Sequence, residues 1–212
     1  MDPLNVPDAI MQRRSTKDFL DRDIDDETID RLVELTRVAP SSWNLQPWRV
    51  VIVRSQEQRQ RLFEACFRQR QIIAAPVTFV FAVDIDSWRH CYERVIGQAK
   101  GKGAWPDGYC EVASKAIPAG QSALGESGRL REYSIKDAMI AATQTALAAE
   151  SLGLHSTFMN GWIEEKVKEV IGAGGRDEIA IAVLLPVGYA DEVLSNPGRL
   201  PREETFFEER LP

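Results

Sequence analysis

Pro40-Ser41-Ser42-Trp43-Asn44-Leu45-Gln46-Pro47-Trp48 stands between two segments of opposite periodicity. Ahead of it, Asp25, Asp26 and Glu27 open a stretch in which Ile29, Leu32, Val33 and Thr36 recur at helical spacing, which predicts an amphipathic helix ending near Ala39-Pro40. Behind it, Trp48 to Val53 is a short apolar run rich in β-branched residues and reads as a buried strand. The nine residues therefore form a loop from helix to strand. Its small hydroxyls and its amide offer short, directional donors and acceptors to a hydroxyl-bearing chain or a carbonyl-rich ring.

A second polar cluster, Arg13-Arg14-Ser15-Thr16-Lys17, lies upstream, Arg13 standing 27 positions ahead of Pro40. That is room for one helix and a turn. Two arginines and a lysine within five residues supply fixed positive charge, the usual answer to a phosphate. The chain carries a formal charge of −6 and a pI near 5.1, so these cations are a local exception. The same acidity argues against a nucleic-acid surface. Alone, each motif is ordinary, since charge runs are commonly solvated and Pro-Ser-Ser is a common turn. Taken together they read as a flavin pocket, with arginines for a phosphate and hydroxyls for a ribityl chain.

The rest of the chain alternates helix and strand. Gln56 to Gln71, polar with Leu62, Phe63 and Phe67 interspersed, suggests a helix, and Val77-Thr78-Phe79-Val80-Phe81-Ala82-Val83 is the clearest strand. Trp88, Tyr92, Val95 and Ile96 share a helical face over 88–96. From Ile135, the residues Met139, Ala142, Ala146, Ala149 and Leu152 mark one side of a long alanine-rich helix that Gly153 closes. Its small side chains suit a central helix approached closely by another backbone. A loop through Thr157-Phe158-Met159-Asn160-Gly161, a helix over Glu164 to Ile171 and a strand over Ile179 to Val187 complete the body.

Two stretches depart from this pattern. Between Asp84 and Tyr133 lie seven of the 14 glycines with little sustained periodicity. This predicts a long excursion over about 84–134 that acts either as a solvated loop or as a lid, with Trp105 and Tyr109 placed to lie on a planar ring. The tail, about 190–212, is polar and proline-bearing apart from Phe206-Phe207, a pair that suits a covered position on a second subunit.

Length and composition suit one domain over residues 1–212. Three cysteines without short paired spacing, Cys66, Cys91 and Cys110, and two histidines give neither a disulfide framework nor a metal centre. Met1 to Ile10 lacks the pattern of an export signal and no run approaches 18 apolar residues, so a soluble protein of the cytoplasm, off the membrane, is expected.

In order and spacing these motifs resemble the nitroreductase family of FMN-dependent oxidoreductases. Arg13, Ser15 and Lys17 match the family's Arg-x-Ser-x-Lys segment, with Arg14 inside it. Pro40, Ser41, Asn44, Gln46, Pro47 and Trp48, with Ser42 among them, match its Pro-Ser-x-x-Asn-x-Gln-Pro-Trp loop. The resemblance implies an α+β fold, a three-layer sandwich in which helices flank a mostly antiparallel central sheet, built as an intertwined homodimer. It also implies that Arg13 and Ser15 reach the ribityl phosphate, that Lys17 lies toward the pyrimidine side of the ring, and that the loop at 40–48 comes from the other protomer. Where the family often has Asn-Gln before Ala-Pro, this chain has Arg68 and Gln69, with Gln71 before Ala75-Pro76. Gln71 is the expected contact there. Asn160 and Gly161 fall where the family places backbone amides near flavin N5, and Arg199, after Gly188-Tyr189, matches the residue that completes the phosphate clamp.

The implied chemistry is a ping-pong transfer through one pocket. Electrons pass from NADH or NADPH through flavin N5 to a small acceptor such as a nitroaromatic or a quinone, with Lys17 acting electrostatically and no side chain marked as nucleophile or acid. Relatives that remove halogen or fragment a flavin, and a flavin-binding store or sensor without turnover, are open at this point.

Overall fold

The computed structural model of the chain describes residues 3–192 and 194–212; residues 1, 2 and 193, which fall within the single-domain and tail expectations, lie outside them. The helices are α1 Val6–Gln12, α2 Asp26–Arg37, α3 Gln56–Ala65, α4 Gln71–Ala74, α5 Trp88–Gly101, α6 Asp107–Glu126, α7 Leu130–Ser151 and α8 Glu164–Val170. The strands are β1 Trp48–Val53, β2 Val77–Asp84, β3 His155–Ser156 and β4 Ile179–Gly188, ordered β1-β2-β4-β3 and antiparallel at each junction.

β2 sits between two neighbours and both its faces are covered, which is why its sequence runs apolar without alternation. On one face, Phe79, Phe81, Val183 and Leu185 pack against Ala141, Ala142, Ala146 and Ala149 of α7 and against Ile29 and Leu32 of α2. On the other, Val80, Ala82, Ile181 and Leu184 meet Leu62 and Ala65 of α3 and Val167 of α8. Helices, sheet and helices form three layers, the α+β sandwich that the resemblance implied. The alanines let α7 lie close to the sheet, and this long helix becomes the ruler along which both polar clusters are placed.

Local signals set the helix ends. Asp25 caps α2, accepting from the Thr28 N–H at 2.8 Å and from Thr28 Oγ1 at 2.9 Å, and these bonds hold its carboxyl below the usual carboxylate range. Ser55 caps α3 through the Gln58 N–H at 3.3 Å.

Three expectations need correction. The helix drawn over Gln56 to Gln71 is broken into α3 and α4, because Phe67 and Arg68 adopt left-handed backbone with φ of 53° and 56°. The helix at 88–96 runs on to Gly101. The excursion at 84–134 is not an irregular loop: α5 and α6 form a helical pair. Cys110, Ala113, Ile117 and Gln121 of α6 are buried at helical spacing, and Ala113 and Ile117 pack with Leu45, Trp88 and Leu130. Tertiary packing there outweighs the cost of about 1 kcal/mol that each helical glycine carries.

Candidate functional site

The Arg13–Lys17 segment leaves α1 and runs along β3. Ser15 pairs with Ser156 as a parallel bridge, and the Thr16 N–H donates to the Ser156 carbonyl at 3.1 Å. Arg13 is half-buried, and among the described residues its Nη1 is enclosed without a hydrogen-bond partner. A shielded guanidinium nitrogen with no acceptor suits an incoming anion, because an unmatched buried donor costs free energy until one arrives. Arg14 is placed differently: its Nη1 donates to the carbonyls of Met11, Gln12 and Arg13 at 2.7, 3.0 and 2.9 Å. It therefore closes the C-terminal end of α1, where a cation is favoured. Ser15 and Lys17 are exposed.

A strap over Asp18–Leu20 then crosses the end of the sheet. The Leu20 N–H donates to the Tyr189 carbonyl at 2.8 Å, and Arg70 Nη2 donates to Asp18 Oδ2 at 2.7 Å. Gly188 permits the crossing, since a Cβ there would stand 2.7 Å from Pro76 Cδ and 2.9 Å from Phe19 Cδ1.

Close by in the topology, the loop at 157–161 is tied to β4 through the Met159 N–H to the Leu184 carbonyl at 3.0 Å. Gln69 Nε2 donates to the carbonyls of Asn160 at 3.0 Å and Gly161 at 2.8 Å. Because a trans peptide points its C=O and N–H in opposite directions, the N–H of Gly161, an exposed residue, is turned away from Gln69. Gln71 is buried and donates to Gln69 Oε1 at 3.1 Å, so it supports Gln69. Arg68 is engaged with Glu64 at 2.9 Å.

The loop at 40–48 lies elsewhere. Ser42–Asn44 make a single 3-10 turn, and Trp43, Asn44 and Gln46 have φ of 53°, 55° and 48°. Ser41 Oγ accepts from the Gln46 N–H at 3.0 Å. Asp137 of α7, 2% exposed, takes the Ser42 N–H on Oδ2 at 3.0 Å and the Ser42 Oγ hydroxyl on Oδ1 at 3.2 Å. Lys136 Nζ joins them, at 2.8 Å from Asp137 Oδ1 and 3.1 Å from Ser42 Oγ. Asn44 and Pro40 face solvent. The ring of Trp43 lies 6.0 Å from that of Tyr109, which meets Trp105 edge-on at 5.0 Å, so the α5–α6 pair brings its aromatics to this loop.

The two clusters are at opposite ends of the molecule. Ser156 pairs with Val187 and Val187 with Val77, whereas Trp48 pairs with Val83. The strand steps from Val77 to Val83 span about 20 Å. Along α7, the rise from Asp137 to Ser151 near α1 gives about 21 Å. A groove of about 860 Å³ runs between these ends, lined by Val6 and Ala9 of α1, Leu35 of α2, and Met139, Ile140 and Leu147 of α7 among others.

The tail begins beside the first cluster, where Asp191, Glu192 and Leu194 line one pocket with Thr16 and Lys17. Residues 194–212 are exposed throughout, Phe206 to 72%, and the hydrogen bonds of Arg199, to Asn196 Oδ1 and the Gly198 carbonyl, stay within the tail. One chain thus gathers Arg13, Ser15 and Lys17 with the Asn160–Gly161 loop at one end. It leaves Pro40, Ser41, Ser42 and Asn44 at the other end and Arg199 in the tail. Sequence reading passed over Asp137, Lys136 and the bracing role of Gln69. The signal for Asp137 was a carboxylate at position 137 beside Ala138, Ala141 and Ala142, on the buried side of an alanine-rich helix.

Thiolate formation is disfavoured at Cys66 and Cys91, since burial pushes Cys66 up to about 12 and also raises Cys91, against the opposing pull of Arg49 and Arg94. Among the described residues no group of three or more His, Cys, Asp or Glu side chains is placed to hold a metal ion, and no helix is long and apolar enough to cross a membrane.

Residues 10–189 match the pattern of the Nitroreductase family. A protein of Thermus thermophilus named NADH dehydrogenase is 30% identical over 201 residues, with 94% of each chain covered. One of Bacillus subtilis named FMN reductase (NADPH) is 26% identical over 206 residues, spanning 96% of this chain and 73% of that protein. A chain of Exiguobacterium sibiricum solved in complex with FMN superposes with a TM-score of 0.83 at 24% identity, covering 96% of this chain and 97% of its own.

Proposed function

The chain belongs to the nitroreductase family, and on that premise we propose an oxidoreductase that binds FMN, takes electrons from NADH or NADPH and passes them to a small acceptor such as a nitroaromatic or a quinone. The observation that carries this reading is the split site. Both segments that resemble the family's flavin-site motifs are present, yet a single chain holds them about 20 Å apart at the two ends of β2. A two-fold arrangement across the groove along α7 would set the 13–17 end of one copy against the 40–48 end of the other, twice over. The exposed tail, with Leu200, Phe206, Phe207 and Leu211 uncovered, supplies apolar surface for the same partner.

In that pair, Arg13 and Ser15 hold the phosphate and Lys17 offers a cation to the ring, while the loop at 160–161 presents the Gly161 N–H. Ser41, Ser42 and Asn44 arrive from the second copy, and Arg199 of one tail completes the clamp. FMN, when bound, supplies a ring that accepts two electrons from nicotinamide and yields them to the acceptor. Donor and acceptor use the pocket in turn, a ping-pong order. Trp43, Trp105 and Tyr109 make the α5–α6 pair the place where acceptor choice is decided. A reducing cytoplasm suits three unpaired cysteines.

The test is the absorption spectrum of the purified protein, followed by anaerobic titration with NADH and then NADPH. Flavin bands that bleach support the reading and identify the donor. Bands that do not bleach favour a store, a sensor or one of the specialised family activities. A protein that takes up no added FMN overturns the proposal. Lys17→Met should lower the reduction potential of the bound flavin, and an unshifted potential removes its electrostatic role.

A further inference from the structure

The loop at 40–48 holds a backbone that its sequence does not favour. Positive φ is tolerated by Asn44, but for the bulky Trp43 it is a costly conformation, and Gln46 adds a third such residue within four positions. Strained backbone of this kind persists where the surroundings fix it. Here the fixing group is one carboxylate. Asp137 takes both the N–H and the hydroxyl of Ser42, the residue immediately before the strained pair, and Lys136 bonds to the same carboxylate and the same hydroxyl.

A buried carboxylate can take its partners from anywhere within reach, and here two of the three bonds to Asp137 come from one residue, Ser42. An Asp at 2% exposure needs charge-assisted partners, but Lys136 alone would provide a counter-ion. Engaging both carboxylate oxygens with Ser42 fixes how the turn between α2 and β1 is seated against α7. Ser41 Oγ, holding the Gln46 N–H, then closes the turn at its far side. Between these two holds, Asn44 is turned to solvent with its Oδ1 accepting from Gln46 Nε2 at 3.1 Å. The side chain that reaches out is thus part of a turn gripped on both sides.

We propose that Asp137 is a positioning residue for the flavin site: through Ser42 it sets the left-handed turn Trp43–Asn44 in the conformation that meets the cofactor bound at the partner copy. This rests on the FMN reading above. Asp137 touches no cofactor atom itself. Its effect is to remove, before binding, the freedom that the loop would otherwise lose on binding.

The variants are Asp137→Asn, which keeps the shape but turns one of two acceptors into a donor, and Ser42→Ala, which removes only the hydroxyl. FMN affinity is measured by quenching of FMN fluorescence, the setting of the bound ring by visible-region circular dichroism, and fold by thermal unfolding without FMN. Asp137→Asn should raise the FMN Kd about tenfold or more and alter the visible dichroism, as expected for loss of a bond to a charged group. Ser42→Ala should move both in the same direction by about threefold. Without FMN, Ser42→Ala should unfold close to wild type and Asp137→Asn, which disturbs a buried charged pair, at a lower temperature, so affinities are compared below that transition. If both variants bind FMN within about twofold of wild type with unaltered dichroism, the inference is overturned while the FMN reading stands. If Asp137→Asn does not fold, Ser42→Ala decides by the same criteria. Wild-type protein that binds no FMN overturns the underlying reading instead.

Discussion

The two ends of α7 carry the same kinds of residue in opposite states of completion. At the Asp137 end, Ser41 bonds to Gln46, and Ser42 and Lys136 bond to Asp137, so the loop is tied within itself, while beside Leu45 the Trp88 Nε1 is enclosed without a partner among the described residues. At the other end, Arg13 Nη1, Thr16 Oγ1, Glu150 Oε2, His155 Nδ1 and Ser156 Oγ are enclosed without partners among the described residues. His155 Nδ1 approaches Glu150 only to 3.6 Å. Buried polar groups left unmatched cost free energy, so the second end gains more from a ligand, whereas the first gains mainly from being rigid. The contrast separates affinity from positioning: charge at one end, fixed shape at the other.

The largest effect that bears on this comparison should come from the groove joining the ends. Ile140, 39% exposed in the single chain, is one of the residues that line it. Ile140→Asp would place a charge in the proposed contact between copies, and sedimentation should find a folded monomer lacking FMN. A dimer that retains FMN would break the link between the two ends. Ending the chain after Arg202, which removes Phe206, Phe207 and Leu211, should likewise leave a monomer or an unstable protein with little flavin. Full occupancy in that form would release the tail from the assembly.

Arg13→Ala tests the incomplete end alone. Losing a charge-assisted bond worth about 1.5–3 kcal/mol should weaken FMN about tenfold or more, read by fluorescence quenching. Gly188→Ala asks how tightly the strap is seated on the sheet. With Pro76 and Phe19 both inside 3 Å of the added carbon, denaturant unfolding should show a loss of about 1–3 kcal/mol. Arg14→Ala is the smallest change. Its guanidinium closes α1, so a stability loss of about 0.3–1 kcal/mol is expected, together with a smaller effect on FMN than Arg13→Ala gives. Equal effects of the two arginines would erase the distinction between them.

Much of the framework was legible because its signals are local. β2 announces itself as a β-branched and aromatic run interrupted within 77–83 by Ala82 alone, and α2 as an apolar stripe opened by three acids. The first turns of α5 were legible from Trp88, Tyr92, Val95 and Ile96, but its end and all of α6 were obscured by glycines, since propensity argues for loop there and the apolar spacing of Ala113 and Ile117 depends on Leu45 and Trp88, distant in sequence. The break after α3 turns on left-handed backbone at Phe67 and Arg68, residue types that give no warning of it. Both polar clusters could be read from their motifs. That they occupy opposite ends could not, because strand order and register are long-range properties.

Placing the clusters at opposite ends has a consequence for inheritance. In the proposed pair each pocket draws one half from each copy. A chain defective at Arg13 and a chain defective at Asp137 would each be inactive alone. Mixed, they form pairs in which one pocket collects both faults and the other collects neither. Two damaged alleles of this gene would then complement each other within a single assembly, and a single damaged copy would spoil one pocket of its healthy partner.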